Sequence, residues 1–420
     1  MLKVLYESVI GADQRKQMGE YYTPDWLAQR VVDEVVTDPL QQRVLDPACG
    51  SGTFVFHAIR KHLAAAEDAG MDLTASIDSV TSHVMGLEVH PVAVAFARVT
   101  YLLAIGTDRL TDPTRPAMTV PVYLGDSLQR GQHANLFTAN ALTIQTDQDQ
   151  QLFTELLTFP EKTMEDVGRF DELVEELSVA ATNRGRGSAV PSLAGVFARY
   201  GLHPDDQTII TATFAVMCKL HDEDRDHIWG YYVRNLARPA WLARPDNRVD
   251  VLIGNPPWLA YRFMTEDQQA DFRQMSEDRN LWAGASVATN QDLSTLFLVR
   301  AAELYLKRDG RFAMVLPEAT LSRTQYTGFR AGRYNILRFA FDHAWELHDV
   351  KPDFFPVPGA VVTGQRAAQL QALEGPTHTV SGRLLGVNVD WEAAKDKLSF
   401  AGAAPMVPLG DESLYASRFS

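Results

Sequence analysis

The chain has 420 residues, 46% of them hydrophobic and 22% charged, enough to bury a large core in one big domain or two smaller ones. No uninterrupted apolar run is long enough to cross a bilayer, and the start Met-Leu-Lys-Val-Leu-Tyr-Glu lacks the order of a secretory signal, so a cytoplasmic protein without a membrane partner is expected. Two cysteines, Cys49 and Cys218, are too few for a disulfide framework or a four-ligand zinc site, no metal is expected, and a net charge of -14 weighs mildly against a grip on nucleic-acid phosphates.

In chain order, Trp26, Leu27, Val31, Val32, Val35 and Val36 share one face of a helix. Arg43 to Leu45 begins a short buried strand, a Gly-containing turn follows, and Thr53 to Ala66 reads as the helix behind it. His83 to Val89 is the next strand and Pro91 to Ala104 its helix, with Pro91 at a helix start where its missing N–H is harmless. Val120 to Leu124 is a third strand, and the alternation so far is that of a doubly wound α/β sheet. From about Gln129 to Pro245 helical spacing dominates, and Thr182 to Ser192 reads as a flexible loop. Strand character returns at Val249 to Ile253, a helix covers Leu293 to Leu306, and Gly310 turns the chain into a strand from Arg311 to Leu316. Ile336 to Phe341 and Ala360 to Thr363 are two further strands, and from Glu374 onward the pattern weakens. The expected organisation is therefore an N-terminal helical segment (1–40), a first α/β half (41–128), a mainly helical insertion (129–248), a second α/β half (249–370) and a C-terminal extension (371–420), the last a possible start of a recognition region. Charge is uneven: acids crowd Glu155 to Glu176, and two groups of arginines, Arg234, Arg238, Arg244 and Arg248, then Arg323, Arg330, Arg333 and Arg338, read either as a basic face or as solvated helix surface.

Three acids fall at three successive strand ends. Asp46 precedes Pro47-Ala48-Cys49-Gly50-Ser51-Gly52, whose glycines let backbone approach a ligand beside a helix N-terminus. Glu88 ends the second strand and offers a ribose diol two oxygen acceptors, and Asp126 ends the third, placed to accept from an exocyclic amino group. Each acid alone also reads as a cap or turn residue; together they read as one site. The turn lacks the Lys-Ser/Thr of a phosphate loop and the full spacing of a dinucleotide fold, so S-adenosylmethionine fits better than a phosphate-bearing cofactor.

The second constellation is Gly254-Asn255-Pro256-Pro257-Trp258 after a strand. Two prolines remove backbone donors and fix φ, which leaves carbonyls to face a ligand. An adenine-type amino nitrogen is a poor nucleophile, its lone pair being delocalised into the ring. If such an amino group is the ligand, two acceptors, the Asn255 side-chain oxygen and the Pro256 carbonyl, would draw it toward tetrahedral geometry for in-line attack on a methyl sulfonium.

Asp-Pro-Ala-Cys-Gly-Ser-Gly-Thr-Phe with Asn-Pro-Pro-Trp resembles the DNA adenine-N6 methyltransferases of restriction-modification and phage-defence systems, over roughly residues 1 to 370 outside the insertion. The resemblance implies a Rossmann-like S-adenosylmethionine-dependent methyltransferase sheet with a helical insertion, and transfer of methyl to the N6 of an adenine flipped out of double-stranded DNA. It assigns Tyr21 and Thr23, in Gly19-Glu20-Tyr21-Tyr22-Thr23-Pro24, to cofactor binding with Asp46, Ala48, Gly50, Gly52, Glu88, Asp126 and Asn255; Thr23-Pro24 also reads as a cap for a helix from Asp25. Asn255, Pro256, Pro257 and Trp258 become the catalytic set, and Trp258 with Phe355, or Phe354 in its stead, the faces that stack on the base. Trp258 departs from the commoner Tyr or Phe and offers an indole N–H in place of a hydroxyl. Phe297, Phe312 and Phe329 are packing candidates. Little chain follows Phe355, so specificity is expected from a separate subunit, from the insertion or from a longer protein. Protein-glutamine methylation, which needs the same two acceptors, RNA adenine methylation, and a catalytically silent DNA-binding subunit are the rival readings.

Overall fold

The helical face expected near the N-terminus forms Asp25–Val35 and is fully or almost fully buried at Trp26, Leu27, Val31, Val32 and Val35. Each such side chain removed from water contributes about 1.5–3 kcal/mol before entropy is counted. The structure is a computed structural model and describes residues 19, 21–129, 137–138, 141–145, 156–224, 229–284, 287, 289–368, 376–405, 407–408 and 415–416. Its strands in chain order are β1 (Val44–Asp46), β2 (Val84–Glu88), β3 (Val122–Leu124), β4 (Phe137–Thr138), β5 (Ala141–Gln145), β6 (Leu156–Pro160), β7 (Val249–Gly254), β8 (Leu306–Pro317), β9 (Arg333–Tyr334), β10 (Leu337–Lys351), β11 (Gly359–Arg366), β12 (Pro376–Arg383) and β13 (Leu398–Pro405). The chain divides into two compact units, with the breaks in sequence at Val122/Tyr123 and Arg244/Pro245. Among the described residues no helix is long and apolar enough to cross a membrane.

The first unit is an α/β sheet ordered β13-β12-β10-β11-β8-β7-β1-β2. Beyond β2 the Pro121 carbonyl accepts the Gly86 N–H at 3.0 Å, which seats the start of β3. β1 runs parallel to both β2 and β7, and β7 parallel to β8. The chain therefore winds outward from β1 in one direction and from β7 in the other. The reversal lies between two adjacent parallel strands, where open α/β sheets bind ligands at their carboxyl ends. Asp46 ends β1 and Gly254 ends β7, so both motifs read from the sequence flank that crevice.

Helices Thr53–Asp68 and Pro91–Ile105 follow β1 and β2 as expected. The helix Leu73–His83, which the sequence reading passed over, is capped by Asp72 accepting the Ala75 N–H at 2.8 Å. The helix Leu293–Tyr305 gives way to strand at Leu306, earlier than Gly310 suggests. β10 is 15 residues long and starts after Ile336, which is 79% exposed. Residues 376–405 supply β12 and β13 to the main sheet. Their strands escape a search for apolar alternation because β12, Pro-Thr-His-Thr-Val-Ser-Gly-Arg, buries Thr377 beside a single aliphatic, Val380.

The second unit carries a three-stranded antiparallel sheet, β4-β5-β6, unforeseen because strands of two and five residues are too short to display a period. Its helices are Val167–Thr182, Ala194–Tyr200, Pro204–Asp222 and Trp229–Ala243. The 182–192 loop is irregular but pinned: Arg184, 8% exposed, pairs with Asp222 at 2.6 Å and donates to the Cys218 carbonyl at 2.8 Å. One arginine of each group is buried rather than solvated. Arg238 is buried against Asp171, and Arg330 is buried donating to the Thr320 and Arg323 carbonyls, with burial holding its pKa down to about 10.

Candidate active site

The turn after β1 is built by backbone. Gly50 and Gly52 have φ of +52° and +92°, values that L side chains rarely adopt, and Gly52 caps the Thr53–Asp68 helix. A Cβ on Gly52 would come within 3.3 Å of Ala97 Cα and Thr100, so two helices meet at this residue. The Cys49 N–H reaches the Leu87 carbonyl at 2.9 Å and the Gly50 N–H reaches Glu88 Oε2 at 2.9 Å, while the His90 N–H donates to Glu88 Oε1 at 2.8 Å. Glu88 thus ties the β1 turn to the end of β2. Each of its oxygens accepts a backbone N–H.

Asp46 is 1% exposed. Its Oδ1 accepts the Ala48 N–H at 3.1 Å, and its Oδ2 is buried with no hydrogen-bond partner among the described residues. Burial, and secondarily the charge of Glu88, pushes its pKa well above the usual carboxylate range. Cys49 is buried beside it, packed on Gly86, with its thiol pKa raised first by burial.

The N-terminal segment joins the two motifs. The Trp258 N–H donates to the Gly19 carbonyl at 2.8 Å, and Thr53 Oγ1 donates to Tyr22 Oη at 3.2 Å. Asn255 Nδ2 donates to the Tyr21 carbonyl at 2.8 Å and to Thr23 Oγ1 at 3.2 Å, leaving Asn255 Oδ1 buried without a partner among the described residues. Thr23 does not cap the helix at Asp25; Pro24 stands at the cap position and no side-chain cap bond forms. Gly19 itself, given no role from the sequence, has φ +70°, and a Cβ there would meet the Leu259 backbone nitrogen at 2.4 Å. Any other residue would push this strap off the Asn-Pro-Pro-Trp segment.

Trp258 is 6% exposed and its indole N–H donates to the Val315 carbonyl at 3.2 Å, so the donor that replaces a tyrosine hydroxyl is spent on fixing the ring. The ring lies 5.2 Å from Tyr21 and 4.9 Å from Phe355, tilted 54° in both cases. Phe354 contacts Phe355 at 4.8 Å and Trp26 at 5.9 Å. Gly359 makes room for this aromatic row: a Cβ there would meet Phe355 at 2.7 Å and Trp258 at 3.2 Å. Asp292, which sequence reading also missed, caps the Leu293–Tyr305 helix and accepts from Ser294 and Tyr326; burial raises its pKa, and its charge adds to burial in raising that of Tyr21. Phe297, Phe312 and Phe329 are buried.

Tyr21, Thr23, Asp46, Ala48, Gly50, Gly52, Glu88, Asn255, Pro256, Pro257, Trp258 and Phe355 all lie in the first unit. Asp126 lies in the second, where its Oδ1 accepts the Leu128 N–H at 3.0 Å.

Two family models match the chain in succession: N-6 DNA Methylase over residues 2–143 and Eco57I restriction-modification methylase over residues 199–341. The adenine-specific methyltransferase PglX of Streptomyces coelicolor is 28% identical over 184 residues, 40% of this chain and 14% of that protein. Among solved structures, the DrdV–DNA complex matches with TM-score 0.49 and 14% identity over 98% of this chain and 33% of that one. The Type ISP restriction-modification enzyme LlaBIII bound to DNA matches with TM-score 0.47 and 10% identity over 94% of this chain and 22% of that one. The chain thus spans 14% of the length of this curated relative. The Asp-Pro-Ala-Cys-Gly-Ser-Gly turn and the Asn-Pro-Pro-Trp segment, joined across adjacent parallel strands, thus each lie within the reach of a DNA-methylase family model, and the chain is similar to N6-adenine DNA methyltransferases in both parts.

Proposed function

We propose that this protein transfers a methyl group from S-adenosylmethionine to the N6 amino group of an adenine flipped out of double-stranded DNA, within a restriction-modification or phage-defence system. The observation that carries the reading is Asn255: its Nδ2 is held by two acceptors and its Oδ1 is buried with no hydrogen-bond partner among the described residues. A buried acceptor without a donor is costly unless a ligand supplies one, and an amino group does.

The residues present fit the cofactor. Asp46 holds a buried oxygen that no donor of the described chain reaches, and a cationic ligand would favour its ionised form. When bound, S-adenosylmethionine supplies an electrophilic methyl on a sulfonium. Asp46 faces its cationic portion, Glu88 at the end of β2 takes the ribose diol, and Ala48, Gly50 and Gly52 shape the turn around it. Asp126 enters this assignment on its sequence position alone. Asn255 Oδ1 and the Pro256 carbonyl each accept one hydrogen of the adenine amino group, which turns the nitrogen lone pair toward the methyl. Pro257 fixes the backbone that carries them, and Trp258 and Phe355 supply aromatic faces for the extruded base.

A net charge of -14 and the burial of Arg238 and Arg330 favour a partner, such as a specificity subunit, that carries much of the grip on phosphates. The test is transfer of labelled methyl from S-adenosylmethionine to unmethylated mixed-sequence DNA, with digestion to nucleosides and Asn255→Ala as control. Label in N6-methyladenine that disappears in the control is expected; label in protein, or in another base, overturns the reading.

A further inference from the structure

The strap of Gly19 and Tyr21–Thr23 does more than join the two motifs. Thr23 is 5% exposed, and its Oγ1 accepts from Asn255 Nδ2 at 3.2 Å while the Tyr21 carbonyl accepts from the same nitrogen at 2.8 Å. A carbonyl can only accept, so this side of the Asn255 amide must be its nitrogen, and Oδ1 must face away from the strap. Turning the amide over would set Oδ1 against the Tyr21 carbonyl and leave the Thr23 hydroxyl as its only donor. The position of Oδ1, on which the proposed reaction depends, is therefore fixed by residues more than two hundred positions away in the chain.

We infer that Thr23 is a positioning residue for methyl transfer, its hydroxyl locking the Asn255 amide in the orientation that presents Oδ1 to the acceptor amino group. The inference rests on the reading of Asn255 as that acceptor, and it replaces cofactor contact as the task of the Thr23 hydroxyl. A buried hydroxyl that accepts from a neutral amide is worth a modest, measurable factor, so its loss should slow the reaction without abolishing it. The Tyr21 carbonyl still holds Nδ2 when Thr23 is changed.

The experiment compares Thr23→Val, which keeps shape and removes the hydroxyl, with Thr23→Ser, which restores it, in the full chain. Three quantities are read: kcat and KM for methyl transfer to DNA, Kd for S-adenosylmethionine by calorimetry, and the Asn255 side-chain amide signal in protein carrying ¹⁵N-labelled asparagine, identified by its loss in Asn255→Asp. In Thr23→Val, kcat should fall about fivefold to tenfold and the Asn255 signal should move. The cofactor Kd should stay within about twofold, and Thr23→Ser should recover most of kcat. A cofactor Kd that rises by the same factor as kcat/KM falls, with the Asn255 signal unmoved, overturns the inference and returns Thr23 to cofactor binding. If the wild-type chain methylates no DNA, the functional reading fails, and the amide signal still decides the Thr23–Asn255 contact.

Discussion

Asp46 Oδ1 lies so close to the backbone of Gly254 that a Cβ added there would stand 2.6 Å from it, and 3.2 Å from the carboxyl carbon. The two residues end adjacent parallel strands, one in each motif. Gly254 has φ +151°, and the missing side chain is what lets the carboxylate sit against the strand that delivers Asn255. Gly254→Ala should therefore displace Asp46, which the Ala48 N–H holds in place, and cost about 1–3 kcal/mol of stability from overpacking. Cofactor Kd should rise about tenfold as the carboxylate moves. A thermal melt and a calorimetric titration check this; unchanged values in both would mean the crevice relaxes freely around a methyl group.

The raised pKa of Asp46 has a second consequence. An acid whose pKa is higher in the folded than in the unfolded chain disfavours folding once it ionises, so the unliganded protein gains stability as pH falls through the folded value. Asp46→Asn, which can keep the Ala48 hydrogen bond, should raise the Tm of the unliganded protein at neutral pH. The same change should weaken S-adenosylmethionine binding, since the neutral amide no longer complements a cation. Cofactor affinity of the wild type should fall as pH is lowered through the Asp46 value, with a proton released on binding. Calorimetry in buffers of different ionisation enthalpy measures that proton; no buffer dependence would remove Asp46 from the cationic part of the site.

The division of roles between the motifs is open to a direct comparison. Asn255→Ala should cut methyl transfer by about a hundredfold or more, as removal of a single polar group aimed at a transition state does, with cofactor Kd nearly unchanged. Glu88→Ala should instead weaken the cofactor first, because it removes the carboxylate that ties Gly50 and His90 beside the β1 turn. Equal losses of cofactor affinity in the two variants would contradict the assignment.

Much of this site was legible because its chemistry is local in sequence. Gly50 and Gly52 mark a turn that needs positive φ, Glu88 ends a strand that reads as buried, and Asn255 follows another. What escaped was nonlocal. Thr23 and Asn255 are 232 residues apart, and nothing in either segment signals that one orients the other. The close approach of Asp46 to Gly254 likewise depends on β1 pairing with β7, a register fixed by the whole sheet. β12 and β13 were missed for the opposite reason: their polar and small residues are strand-like only once β10 is there to pair with.

Trp258 and Phe355 are in direct contact, with ring centroids 4.9 Å apart and a tilt of 54°. A flipped base held between two aromatic faces needs roughly twice a stacking distance between them, since stacked or tilted ring pairs already sit about 4.5–7 Å apart. Base entry therefore requires one ring to move. Trp258 is held by the Val315 carbonyl through its indole N–H and by Gly19 through its backbone N–H, whereas Phe355 is half-buried on the irregular segment leading into β11. Phe355 is the ring expected to give way. Phe355→Ala should raise KM for DNA more than it lowers kcat, and Trp258→Ala should lower kcat by about tenfold to a hundredfold while Trp258→Phe retains most activity. Addition of cognate DNA should change the emission of Trp258, measured against a Trp258→Phe control, and the change should shrink in Phe355→Ala. An emission change of full size in that variant would mean that the base reaches Trp258 without displacing Phe355.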